Sequence, residues 1–235
     1  MTIPTDNTIN DTPDVRLGRN GRALSKGTAK GYRAGQKAPN AGKRFPAEIL
    51  TPDEARALIQ ACSNRSPTGI RNRALLVMMY RGGLRVSEAL ALRPKDIDSE
   101  EGTVTILHGK GDKRRMIGLD AGAFAVIERW IERRARLGFS GRDPLFCTLQ
   151  GRQLHATYVR QLLPRLAKKA GIDKRVHPHG LRHTYAYELA VSEGRPLPVV
   201  QAALGHTSLM TTDRYVSHIA PVEVIETMRG RDWSL

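Results

Sequence analysis

Acidic residues are in deficit: 23 Asp and Glu face 38 Lys and Arg, a formal net charge of +15 over 235 residues. With a sequence pI near 10.4, that imbalance disfavours basic or neutral partners and favours a polyanion, nucleic acid first. Aromatics are only 5% of the chain, which argues against base stacking as the main binding mode. Cysteine is nearly missing. Cys62 and Cys147 stand far apart with no CxxC spacing, so neither a disulfide framework nor a structural zinc site is supported, and both are expected as buried thiols in a reducing cytosol. No apolar run approaches the roughly 18 residues of a membrane span. The opening MTIPTDNTIN lacks a basic region followed by an apolar stretch. A soluble, cytoplasmic protein is expected, with no membrane partner.

With 40% hydrophobic residues, the chain has enough for one ordinary core, and one main domain is expected. Residues 1–47 are rich in Gly, Asn, Thr and basic residues without helical or strand periodicity. They carry nine basic residues against three acidic ones, a balance of +6, and are expected to form a disordered basic arm. A DNA-seeking role and a solvated linker both fit that composition.

Order is expected from TPDEARALIQAC, where Thr51 can cap a helix, Pro52 suits its first position and Glu54 completes a capping box. Leu58 and Ile59 then face inward. RNRALLVMMY predicts a buried helix stopped at Gly82 and Gly83, and LRVSEALAL predicts a further helix up to Pro94. The period changes in GTVTILHGKGDKRRMIGL, which alternates around Val104 and Ile106, turns at Gly109 to Asp112 and resumes through Ile117. This predicts a hairpin. Asp120 can cap a helix carrying Phe124, Ile127, Trp130 and Ile131, another is expected over about 156–169 despite Pro164, and short helices follow from His177 onward. The fold class expected is mainly α with one small antiparallel β-sheet (α+β).

In HPHGLRHTYAYELA, three histidines and an arginine fall within seven residues. His179 and His183 share a helical face, but the glutamate of HExxH is missing and no third ligand stands at a known spacing, so no metal or other cofactor is expected. Core or capping histidines remain open at this point, as does a phosphate-handling site. Other positions bear on the choice: Arg85 after GGL, Lys110 in GKGD, His206 in LGHTS and Tyr215 in TTDRYVSH. An arginine fork matches two non-bridging phosphate oxygens, whereas a lysine is a compact proton donor on a flexible stem. Each has an ordinary structural alternative: a surface ion pair for Arg85, a solubilising turn residue for Lys110, a capping group for His206, a core-edge aromatic for Tyr215.

Taken together and in order, GGLRVSEALAL, HGKGDKRR, HPHGLRHTYAYELA and ALGHTSLMTTDRYVSH resemble the catalytic domain of the tyrosine recombinase (phage integrase) family, over roughly residues 51–219. The resemblance implies the fold of the DNA breaking-rejoining enzymes and an activity that joins one DNA strand covalently to Tyr215, independently of metal and ATP. It makes Arg85 and Arg182 the phosphate clamp, His206 a further donor, His179 an aid to proton transfer at the tyrosine, and Lys110 the acid that protonates the leaving 5′-oxygen. Glu88, one helical turn from Arg85, is expected to hold that guanidinium in place. His177 and His183 keep structural roles.

Double-stranded DNA is then the implied partner, with a dimer on each site, a tetrameric synapse, accessory DNA-bending proteins among the candidates, and nucleoid association. Lys43, Arg44, Lys113 and Arg114 are candidate DNA contacts. Most family members carry a helical core-binding domain before the catalytic one. Residues 1–47 do not have that composition, so the layout resembles the short members, with 48–235 as the catalytic domain and a C-terminal helix over 220–230 that docks into a neighbouring protomer. The rivals are a catalytically silent DNA-binding regulator of the same fold and a type IB topoisomerase.

Overall fold

The computed structural model describes residues 48–107 and 114–205. Helix α1, Pro52–Gln60, starts where a capping box closes: the Glu54 amide donates to Thr51 Oγ1 at 3.2 Å and the Thr51 amide to Glu54 Oε2 at 2.7 Å. Leu58 on this helix is fully buried, while Ile59 lies half-buried against the same core. Helix α2, Pro67–Arg81, is capped by Ser66 and begins with proline. It buries an unbroken stretch from Ala74 to Tyr80, as an all-round apolar helix must. It is the central element, packed against α4 (Ala121–Arg136) on one side and α6 (Pro178–Tyr187) on another.

Helix α3, Val86–Ala91, is shorter than LRVSEALAL predicts: Arg85 is extended and caps it, and Leu92 is extended again. A 3₁₀ turn at Pro94–Asp96 then leads into β1, Ile97–Asp98, a strand with no signature of its own in two residues. The expected hairpin is present as β2, Thr103–Ile106, and β3, Arg115–Gly118, giving a sheet in the order β1-β2-β3, antiparallel throughout. Val104 pairs with Ile117 and Ile106 with Arg115. Since side chains on one face of a strand recur every second residue, Arg115 shares the inward face of buried Ile117.

Asp120 caps α4, accepting from the Ala123 amide at 2.9 Å. Trp130, fully buried on α4, donates its indole N–H to the Leu145 carbonyl at 2.8 Å. Helix α5, Ala156–Lys169, runs through Pro164. After α6 a π-helical turn, Glu188–Ser192, leads to α7, Leu197–Leu204, which ends on Gly205 with φ of +61°. A second, smaller core of Tyr185, Ala186, Val200 and Leu204 joins α6 to α7. The fold class is thus helix-rich with one small antiparallel sheet, as the sequence implies. Cys62 and Cys147 are free and buried, and burial pushes the Cys62 thiol up to about 11, the mark of an unreactive thiol. The expected basic arm and the expected C-terminal helix fall outside the described residues.

Candidate phosphate-handling site

Arg85, His179 and Arg182, 94 or more residues apart in the chain between the first and the others, line one open cavity of about 570 Å³. Three local choices bring them there. The chain turns out of α2 at Gly83 with φ of +60°, and a β-carbon at that position would sit 2.2 Å from the Tyr185 ring. Only glycine allows both the left-handed backbone and the contact. The turn delivers Arg85 to the start of α3. Pro178 in the first turn of α6 fixes the start of that helix, placing His179 at its exposed end and Arg182 one turn inside.

Arg182 is fully buried, and its guanidinium donates to the Gly83 carbonyl and to the Leu204 carbonyl. It therefore ties the α2–α3 turn to the end of α7, next to the residue that precedes His206. Arg85 keeps about a quarter of its side chain exposed. Its Nη1 donates to Glu88 Oε1 at 2.7 Å and its backbone amide to Glu88 Oε2 at 2.9 Å. Glu88, one turn along the helix, thus contacts both the side chain and the backbone of Arg85.

Glu88 is itself buried and gathers more than one cation. Arg115 donates from Nη1 to Oε1 at 3.0 Å and from Nη2 to Oε2 at 2.7 Å, and Arg182 Nη1 lies 3.8 Å from Oε2. Burial alone raises a carboxyl's pKa, but here the hydrogen bonds from Arg115 and Arg85 outweigh it and hold Glu88 down at about 2. Three guanidinium groups around one carboxylate leave a local charge of about +2, suited to an oxyanion. Arg115 went unsingled among the sequence candidates, although its alternation with Ile117 on an inward face was a readable signal. Arg160 of α5 and Arg175 also line the cavity unannounced.

His179 opens onto the cavity and packs edge-on against His183, ring centroids 4.7 Å apart. Burial by the surrounding protein first, then the charges of Arg182, His177 and Arg85, lower its pKa. The ring is therefore neutral down to a pH below the ordinary 6.5, with a nitrogen able to act as a proton acceptor. His177 makes a 3.3 Å contact from Nδ1 to the Arg175 carbonyl and borders the cavity, and His183 is half-buried. Arg114 is exposed just before β3. Lys110, His206, Tyr215, Lys43, Arg44 and Lys113 lie outside the described residues. Among the described residues no group of three or more His, Cys, Asp or Glu side chains could hold a metal ion, and no helix is long and apolar enough to cross a membrane.

The model of the phage integrase family matches residues 48–220. The chain is 37% identical over 192 residues to the tyrosine recombinase XerC of Alcanivorax borkumensis, covering 79% of this chain and 62% of that protein. It thus spans about three-fifths of the length of that curated relative. Among solved structures, the XerA recombinase superposes with a TM-score of 0.69 at 28% identity, over 83% of this chain and 69% of that one. The XerH site-specific recombinase bound to its palindromic difH substrate, in a post-cleavage complex, gives 0.67 at 29% identity, over 90% of this chain and 60% of that one.

Proposed function

Because the chain belongs to the phage integrase family, we propose that it is a site-specific DNA recombinase acting on double-stranded DNA. The observation that carries this is the convergence of Arg85, Arg182 and His179 on one cavity around a buried Glu88. Such donors, fixed before substrate arrives, stabilise charge as it builds on a pentavalent phosphorus without reorganising during the reaction.

In this reading Tyr215 gives its phenolic proton to His179 and its oxygen attacks a backbone phosphorus. The P–O5′ bond breaks, Lys110 protonates the departing 5′-oxygen, and a 3′-phosphotyrosine and a free 5′-hydroxyl result. Arg85, Arg182 and His206 hold the non-bridging oxygens. The phosphodiester bond energy is kept in the covalent link, so a 5′-hydroxyl from another strand reverses the step without ATP. The same proposal takes 48–235 as the catalytic domain, 1–47 as a DNA-tracking arm with Lys43 and Arg44, and Lys113 and Arg114 as backbone contacts flanking the hairpin turn. It includes a dimer on each site and a tetrameric synapse, in the cytoplasm with the nucleoid.

The test is a suicide substrate, a nicked duplex built on the DNA flanking the chain's own gene, incubated with the protein in EDTA. A covalent adduct that Tyr215→Phe abolishes is expected. Sequence-dependent DNA binding with no adduct from either protein would instead identify a regulator of the same fold.

A further inference from the structure

Arg115 is an arginine on the inward face of a strand, only 12% exposed in its side chain, and it spends both terminal nitrogens on Glu88. Glu88 in turn has every favourable direction taken: Oε1 accepts from Arg85 and Arg115, and Oε2 accepts from Arg115 and the Arg85 amide with Arg182 3.8 Å away. One carboxylate is thus shared between two arginines that face the cavity, Arg85 and Arg182, and one that is not among the groups lining it. Arg115 is also clasped from its other side. A β-carbon at Gly205 would lie 2.7 Å from Arg115 Cδ, so the end of α7 packs directly on the arginine's stem.

The charge arithmetic gives this arrangement a meaning beyond packing. A lone Glu88 would neutralise one cavity arginine and draw its fork into a bidentate pair, because a two-point guanidinium–carboxylate match is the stronger geometry. With Arg115 taking the two-point match, Arg85 is left with a single hydrogen bond to Glu88 through Nη1, and its other nitrogens remain available to an anion.

We propose that Arg115 is a positioning residue for the strand-transfer reaction: it supplies the counter-charge of Glu88, so that the carboxylate orients Arg85 without cancelling the positive charge that Arg85 and Arg182 present to the phosphate. This rests on the recombinase reading for its rate consequence, and on the cavity's oxyanion chemistry alone for its binding consequence.

The two are separated by two readouts on the full chain. One is the rate of adduct formation with the suicide substrate. The other, which needs no cleavage, is inorganic phosphate affinity followed through the ring resonances of His179 and His183 by NMR. Arg115→Met is expected to slow adduct formation on the order of 100-fold, the scale of a clamp misplaced by about 1 Å, and to weaken phosphate binding. Adding Glu88→Gln in the same chain removes the uncompensated negative charge and is expected to restore phosphate affinity and part of the rate, a rescue that a merely structural arginine would not show. Arg115→Lys, which keeps the charge and loses the fork, is expected to retain phosphate affinity better than rate. If Arg115→Met does not fold, that lysine variant carries the test, and loss of phosphate affinity equal to that of Arg115→Gln overturns the proposal. Additive losses in the double variant, or wild-type phosphate affinity in Arg115→Met, overturn it as well. If wild type forms no adduct while the phosphate titrations follow the expected order, the recombinase reading fails and the charge-balancing role stands.

Discussion

A carboxylate buried among guanidinium groups stays ionised only while they hold it, and Glu88 shows the consequence in its pH dependence. Its pKa falls from an ordinary 4.5 to about 2 on folding, so the stability it contributes is complete above pH 4.5 and is lost as pH falls toward 2. Glu88→Gln should remove on the order of 3 kcal/mol of that acid-dependent stability, read as a smaller loss of denaturation free energy between pH 5 and 2 than wild type shows. His179 moves the other way in role. Its lowered pKa keeps the ring neutral to a pH below 6.5, so the acidic limb of the strand-cleavage profile should lie below that value. A limb above pH 6.5 would argue against His179 as the proton acceptor.

The two arginines proposed as the phosphate clamp are predicted to fail differently. Arg85→Ala removes a donor that is about a quarter exposed and should cost roughly 100- to 1,000-fold in cleavage rate, with folding and DNA binding nearly intact because Arg115 still pairs with Glu88 through both terminal nitrogens. Arg182→Ala should cost stability as well, about 3–5 kcal/mol, because the buried guanidinium also satisfies the Gly83 and Leu204 carbonyls. Denaturant melts beside single-turnover rates separate the two. Arg85 and Arg182 were legible from their motifs, and Glu88 from its helical spacing. The double duty of Arg182 was not, since its carbonyl partners lie 99 and 22 residues away in sequence and no local pattern encodes them.

Among the elements, the turn between α2 and α3 carries the sharpest expectation. Gly83→Ala forces a side chain into positive φ and into the Tyr185 ring. A loss of about 1–3 kcal/mol or more, with impaired cleavage, is expected from melting and adduct assays together. Thr51→Ala breaks only the α1 capping box and should cost about 1 kcal/mol with cleavage unchanged. Elements with a chemical start signal were legible from sequence: Thr51 and Asp120 each begin a helix where their chemistry indicates. Strand β1 and the early end of α3 were not. A two-residue strand has no period, and α3 ends because Leu92 turns inward in extended conformation, its carbonyl accepting from the Leu145 amide at 2.8 Å, a tertiary contact that overrides helix propensity.

For the whole molecule, the proposal divides chemistry from DNA capture. If the +6 segment tracks phosphates, removing residues 1–44 should flatten the slope of log K against log salt for duplex DNA, with adduct formation at saturating DNA preserved. An unchanged slope would take the arm out of the binding account. The charge balance and the ordered motifs are what point, in the sequence, to the proposed class of partner. How three arginines share one carboxylate was not, because it depends on β3, α3 and α6 meeting in space, although the alternation that turns Arg115 inward was visible beforehand.

The most direct measurement of the central claim is a crystal structure of the protein with cleaved duplex DNA and orthovanadate, a mimic of the pentavalent phosphorus. The account predicts one vanadium bonded to the Tyr215 oxygen, with the Arg85 and Arg182 guanidinium groups on its equatorial oxygens and His179 beside the tyrosine. Vanadate held at a surface apart from Arg85 and Arg182, or a different side chain bonded to it, would contradict the account.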